Sequence, residues 1–122
     1  MAKIDPKEGL EYVFLWGELQ KDKKLSPFVE KVLGAKYVCK GSLDGHTERY
    51  MSKFSTIHPL SITVSKVWGE IWTIPTDRLN ELDWYVGVGK RGLEREKRNI
   101  GGFDDVNVIV NKWDQRQLTG PI

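Results

Sequence analysis

The candidate chemical groups of this chain are carboxylates, because thiols and imidazoles are scarce. There is one cysteine, Cys39, and there are two histidines, His46 and His58, in 122 residues. A single thiol excludes an internal disulfide and every multi-cysteine zinc site. The histidines lie 12 residues apart, with neither HxH nor HxxxH spacing, and read as surface or satisfied side chains rather than metal ligands. No metal and no cofactor is expected. Three carboxylates stand out by position. Glu18 follows an apolar run that ends at Trp16-Gly17, Glu70 lies inside the strongest β signal, and Asp83 sits toward the end of a helical segment. A carboxylate can pass a proton between an amine and a leaving group when its surroundings tune it. The plainer readings are a solvated loop residue at Glu18, beside Gln20-Lys21-Asp22, and structural roles for Glu70 and Asp83.

Two further patterns invite function. Gly87-Val88-Gly89-Lys90-Arg91-Gly92 matches GxGxxG, but a dinucleotide fingerprint needs a strand before it and a helix after it. Here a helix precedes and a strand follows, so a Rossmann site is rejected. The loop retains the option of offering backbone N–H groups and Lys90-Arg91 to an anion. Lys90, Arg91, Arg95, Lys97 and Arg98 form the densest basic cluster, with Glu94 and Glu96 alternating through it. On a strand Arg95 and Lys97 share one face and the glutamates the other, the pattern of an edge strand with a solvated face rather than a phosphate-binding stripe. With a net charge of only +2, nucleic-acid binding is disfavoured.

The elements that must position these residues follow from periodicity. Residues 11–16, EYVFLW, read as a buried strand that ends at Gly17. Ser26-Pro27 forms an N-cap and first helical position, with Phe28, Val29, Val32 and Leu33 as the apolar face and Gly34 as the stop. Residues 35–43 form a second strand, with Tyr37, Cys39 and Gly41 on one face and Val38 on the other. Asp44-Gly45 signals a hairpin into HTERYMSKF, and Lys53 to Pro59 reads as loop. Residues 61–74 give a long strand, with Gly69 marking a bend or bulge. Thr76 caps a helix whose Leu79 and Leu82 point inward. LEREKRNI, the Gly101-Gly102 turn and VNVIVNKW complete a closing hairpin, and the ends are polar tails.

Length and composition bound the rest. The 122 residues fit one domain, with a core at about 11–113. Apolar residues are 39% and charged residues 30%, the balance of a globular rather than a disordered chain. Five tryptophans supply either a dense core or a ligand wall. The longest apolar run, Tyr12 to Trp16, falls far short of the ~20 residues that cross a bilayer, and no signal-peptide pattern opens the chain. A cytoplasmic protein with no membrane partner is expected. Strands and two short helices in this order give an α+β fold with a small, curled mixed sheet.

Three segments, in order, carry a family resemblance. Val13 to Leu19, VFLWGEL, resembles the VFVYGTL opening of the gamma-glutamylcyclotransferase-like superfamily. Val67 to Trp72, VWGEIW, is similar to its VxGEVY strand, and Leu79 to Gly87, LNELDWYVG, to its LxxLDxxEG helix end. The GGFDD turn and VNVIVNKW resemble the closing hairpin. The resemblance implies a small mixed β-barrel with short flanking helices and a cavity at one end. It implies that backbone N–H groups after the first strand hold a substrate carboxylate. It also implies that the glutamate of LDxxEG serves as general acid/base in releasing 5-oxoproline.

This chain departs from that pattern where the chemistry sits. The glutamate position is Val86, while Leu82, Asp83 and Gly87 match and fix the register. Valine has no proton to give, and losing a general acid/base costs about 10²–10⁴-fold in rate. Glu18 replaces the family's Thr or Ser, and Trp16 its tyrosine. The resulting expectation is a domain that sequesters or senses a small molecule and lacks cyclotransferase activity. Its ligand would be amino-acid-, peptide- or nucleotide-like, and would meet Trp16, Gly17, Glu18, Leu19, Tyr85 and Val86. Two alternatives remain: an active enzyme with a relocated carboxylate (Glu18 or Glu70), and a scaffold for a protein partner.

Overall fold

The first strand is the axis of the molecule because no other segment is so uniformly apolar. In the computed structural model, which describes residues 8–51, 54–59, 66–90 and 92–112, β1 (Leu10–Leu15) lies at the centre of a five-stranded sheet. Val13, Phe14 and Leu15 are almost wholly buried, as expected of a strand covered on both faces. The other strands are β2 (Lys36–Asp44), β5 (Lys66–Pro75), β6 (Leu93–Ile100) and β7 (Phe103–Asn111), in the order β2-β5-β1-β7-β6. All pairs are antiparallel except β1 with β7, which run parallel. β3 (His46–Met51) and β4 (Phe54–Pro59) form a separate two-stranded ribbon, with β4 beside β7. The helix α1 (Leu79–Val86) follows β5 through a 3₁₀ turn at Thr76–Arg78.

Register and alternation sort the side chains into two faces. Val13 is paired with both Trp72 and Asn107, and Leu15 with Glu70. Glu11, Val13, Leu15, Glu70, Trp72, Asn107 and Arg95 therefore share one face, and α1 covers it, with Asp83 meeting Arg95. The opposite, concave face carries Phe14, Ile71, Val106, Val108 and Val110, all buried in one core with Ile57 of β4.

The α+β class and the mixed sheet agree with the sequence reading, but the barrel does not close. Among the described residues, β2 and β6 are the two ends of the sheet and share no ladder. The sheet instead curls until the ends touch through side chains: a Cβ at Gly41 of β2 would stand 3.5 Å from Ile100 Cγ2 of β6. Bulges in both outer strands, between Tyr37 and Cys39 and between Arg98 and Ile100, supply the curvature.

Other local expectations are also corrected. The bulge in β2 puts Tyr37 opposite Trp72 and Cys39 opposite Ile71, so these two residues face opposite sides rather than sharing one. The chain does turn at Gly45, with φ +73°, but β2 continues along β5 while β3 pairs with β4. Residues 54–59, expected as loop, are β4, whose strand character comes from pairing rather than from any period of its own. Gly69 stays in register opposite Gly41 and is no bulge. The Ser26 segment forms a single wide turn, Phe28–Val32, closed by Leu33 N–H to Phe28 C=O at 3.1 Å. Ser26 donates to the Glu30 carboxylate at 2.6 Å rather than accepting as a cap. Thr76 likewise makes no cap at the helix start; its side chain bonds Glu11.

Candidate functional site

The loop after β1 is built by its own hydrogen bonds. Trp16 leaves the strand extended, Gly17 turns with φ +56°, and a 3₁₀ turn runs over Gly17–Leu19. Leu19 and Gln20 donate their N–H groups to Trp16 and Gly17 carbonyls at 3.1 and 3.3 Å, which leaves those of Gly17 and Glu18 outside the turn's ladder. Leu25 N–H bonds Glu18 C=O at 2.9 Å and closes the loop. The Glu18 carboxylate is exposed and accepts weakly from Lys24 N–H at 3.4 Å. It is a loop residue in water.

The residues carried over from the motif divide into buried and exposed sets. Trp16, Leu19 and Val86 all lie in the core, with Val86 on the same inward side of α1 as Leu79 and Leu82. Tyr85 stacks on Phe28, with ring centroids 4.2 Å apart and planes 29° apart, pinning the wide turn to α1. Trp84 is 81% exposed and, with Phe28 and Val32, edges an apolar groove of about 450 Å³. Gly87 ends α1 with φ +102°, a conformation glycine takes freely.

Glu70 is the buried carboxylate, 5% exposed on the face under the post-β1 loop. Its Oε1 accepts from Lys21 N–H at 2.7 Å and from Trp72 Nε1–H at 3.0 Å. Its Oε2 takes no hydrogen bond from a described residue, yet His46 Nε2 is the one fully buried side-chain polar atom among them that lacks a partner. Glu70 lines a cleft of about 640 Å³. Gln20 to Lys23 form one rim of this cleft, Tyr37 and Lys40 of β2 a wall, and Trp68 the outer edge. The ladder brings these together: Lys40 pairs with Glu70, and Ser42 with Trp68. Lys21 Nζ lies 5.1 Å over the Tyr37 ring, and Lys66 Nζ 5.5 Å over Trp68. No residue of this cleft but Glu70 was singled out from sequence, because Tyr37 and Lys40 reach this face only through the β2 bulge.

The Gly87–Gly92 loop is a poor anion cradle. The N–H groups of Gly87 and Val88 both donate to Asp83 C=O at 2.8 Å, Gly89 to Leu93 C=O at 2.8 Å, and Lys90 to Gly87 C=O at 3.1 Å. Arg91 lies outside the described residues. The basic strand β6 is spent on carboxylates: Arg95 on Asp83, Lys97 on Glu11, and Arg98, with Lys112, on Glu96. His46 is buried rather than superficial. Its Nδ1 is 2.8 Å from Asp44 C=O, and burial pushes its pKa down. The His58 side chain is outside the description. Burial pushes the Cys39 thiol up, which keeps it protonated at neutral pH. Among the described residues no cluster of three His, Cys, Asp or Glu side chains is arranged for a metal, and no helix is long and apolar enough to cross a membrane.

The ion pairs of β6 make acid stability predictable. Burial pushes the Glu11 carboxyl up, but hydrogen bonds from Lys97 and Asn107 outweigh it and hold it below its ordinary 4.5. Glu96 is held down in the same way, its burial outweighed by Lys112 and Arg98. With the folded value depressed, the unfolded chain takes up protons first as pH falls, so this stabilisation is complete above 4.5 and is lost below it. Urea midpoints measured from pH 7 to pH 3 should drop in that acid window. The drop should be shallower in Glu11→Gln and Glu96→Gln; equal slopes in wild type and variants would refute the assignment.

No known family profile and no curated protein matches the sequence. Solved structures do. A uropathogenic E. coli-specific protein is 17% identical with a TM-score of 0.66, over 88% of this chain and 84% of its own. A gamma-glutamyl cyclotransferase is 17% identical with a TM-score of 0.65, over 83% of this chain and 66% of its own. An AIG2-like protein from Mus musculus is 16% identical with a TM-score of 0.59, over 84% of this chain and 76% of its own. The chain therefore has the gamma-glutamylcyclotransferase-like fold.

Proposed function

We propose that this is a cyclotransferase-like domain without cyclotransferase turnover, which holds a small molecule beside the loop after β1 and so sequesters or senses it. The observation that carries the reading is Val86, buried at the C-terminal end of α1 where the family motif has its acid/base glutamate. The neighbouring carboxylates do not replace it. Glu18 faces water, and Glu70 has one oxygen committed to Trp72 and Lys21. Trp16 and Leu19 fill space in the core, which moves the place for a ligand outward, to the Glu70 cleft. A cytoplasmic setting, where Cys39 stays reduced, goes with this reading.

The test is 5-oxoproline release from γ-glutamyl amines, γ-glutamyl amino acids and glutathione. The wild type should not exceed the protein-free rate. Val86→Glu, checked for folding by circular dichroism, should raise release by about a hundredfold, the low end of what a positioned acid/base supplies. Turnover by the wild type would overturn the proposal. A second reading, an enzyme with a relocated base, is favoured only by Glu70 Oε2, which takes no hydrogen bond from a described residue; turnover abolished by Glu70→Gln would establish it.

A further inference from the structure

The small molecule of the proposed function can be narrowed by what the Glu70 cleft offers, and the narrowing rests on that reading. The cleft shares none of the expected contact residues Trp16 to Leu19, Tyr85 or Val86, and takes only Trp68, Gly69 and Glu70 from the VWGEIW segment. It combines three chemistries. Tyr37 and Trp68 present partly open ring faces, with Trp68 65% exposed. Lys21, Lys23 and Lys40 stand around it against the carboxylates of Asp22 and Glu70. Glu70, 5% exposed, lines the cleft, and its Oε2 takes no hydrogen bond from a described residue.

A ligand that uses all three must be flat, must carry an N–H donor on one edge, and must carry a negative charge away from that edge. We propose that the cleft binds a nucleoside monophosphate. Its base lies against Trp68 or Tyr37, an amino group on the base edge donates to Glu70 Oε2, and its phosphate meets the lysines. The lysines are poised for this exchange. Lys21 and Lys66 now sit over the Tyr37 and Trp68 rings, and a base taking a ring face releases an ammonium to the phosphate. The volume of about 640 Å³ lies within the range of small-molecule sites.

The competing ligands each leave part of the cleft unused. Inorganic phosphate would find lysines but would be repelled by Glu70 and Asp22, and would leave the rings bare. An amino acid or dipeptide would satisfy Glu70 with its ammonium but has no need of two aromatic walls. Among bases, uracil is disfavoured because its N–H lies between two carbonyl oxygens, which would crowd the Glu70 carboxylate. Adenine, cytosine and guanine offer an amino group instead.

The test is a calorimetric titration of the whole chain with AMP, GMP, CMP and UMP. The parallel titrants are the matching nucleosides, inorganic phosphate, a γ-glutamyl dipeptide and a short single-stranded oligonucleotide. Monophosphates with an amino-bearing base should bind, and UMP, nucleosides and phosphate should be weaker by about tenfold or more. Trp68→Ala and Lys40→Glu, both at the open surface, should each weaken binding by about tenfold, the scale of one lost stacking contact. Glu70→Gln, which can both donate and accept, should erase the discrimination against UMP.

Failure of any nucleotide to bind at millimolar concentration would overturn the inference, as would nucleotide binding unmoved by Trp68→Ala and Lys40→Glu. Binding of the oligonucleotide without binding of monophosphates would also overturn it. Trp68-dependent binding of the dipeptide alone would refute the nucleotide but uphold the small-molecule reading. No binding by any titrant would remove both.

Discussion

Gly69→Ala should destabilise the fold by about 3 kcal/mol, the upper end of the usual cost of overpacking. A methyl at this position would stand 2.5 Å from the Leu15 carbonyl oxygen and 2.6 Å from Phe14 Cζ. Neither neighbour can give way. The oxygen belongs to the central strand, and Phe14 is wholly buried on the concave face. Gly41 is the control because it is the register partner of Gly69. Its methyl would meet Ile71 and Ile100 side chains at 3.4–3.6 Å, an ordinary contact. Gly41→Ala should stay within about 0.5 kcal/mol of wild type, since alanine also recovers backbone entropy that glycine loses. Urea denaturation of the three proteins measures both numbers. Equal midpoints for the two variants would mean that β1 does not press on Gly69.

Asn107→Leu should cost about 3 kcal/mol, although leucine matches asparagine roughly in size and the site is only 1% exposed. The asparagine amide joins three elements. Its Nδ2 donates to Tyr12 C=O at 2.8 Å and to Glu11 Oε1 at 3.2 Å, and its Oδ1 accepts from Arg95 Nη1 at 2.9 Å. Leucine satisfies none of these, so a buried strand carbonyl and a partly buried guanidinium N–H are left unpaired. Asn107→Asp keeps the acceptor for Arg95 but puts a carboxylate against Glu11 and the Tyr12 carbonyl, and should also destabilise. Asn107→Gln should be the mildest of the three. If Asn107→Leu is neutral, the amide is filler rather than a clamp.

How much of this was legible beforehand depends on whether a feature is local. β1, β6 and the closing hairpin were readable because their apolar runs or alternation lie within the segment. Val86 was readable because Leu82, Asp83 and Gly87 frame it within one helix end. The β3–β4 ribbon was not, because residues 54–59 acquire strand form only from their pairing. The barrel expectation failed on the same ground, since closure depends on whether β2 and β6 meet, and bulges decide that. The cleft was hidden most deeply. Lys40 and Tyr37 join Glu70 and Trp68 only after Val38 is bulged out of β2. Sequence alternation without the bulge sends Tyr37 to the side of Cys39.

The central strand is also the earliest of the described strands to be synthesised. Leu10 must wait for Pro75 and Val13 for Asn107 before β1 has both neighbours. Until then, its apolar faces and both of its hydrogen-bonding edges are uncovered. Folding of this domain is therefore governed by contacts between distant parts of the chain, which close slowly compared with local hairpins. Between the synthesis of Val13 and that of Asn107 the nascent chain carries β1 with an edge unpaired. The β6–β7 pairing, by contrast, closes over a short local turn, and β7 is the strand beside which β1 is finally enclosed.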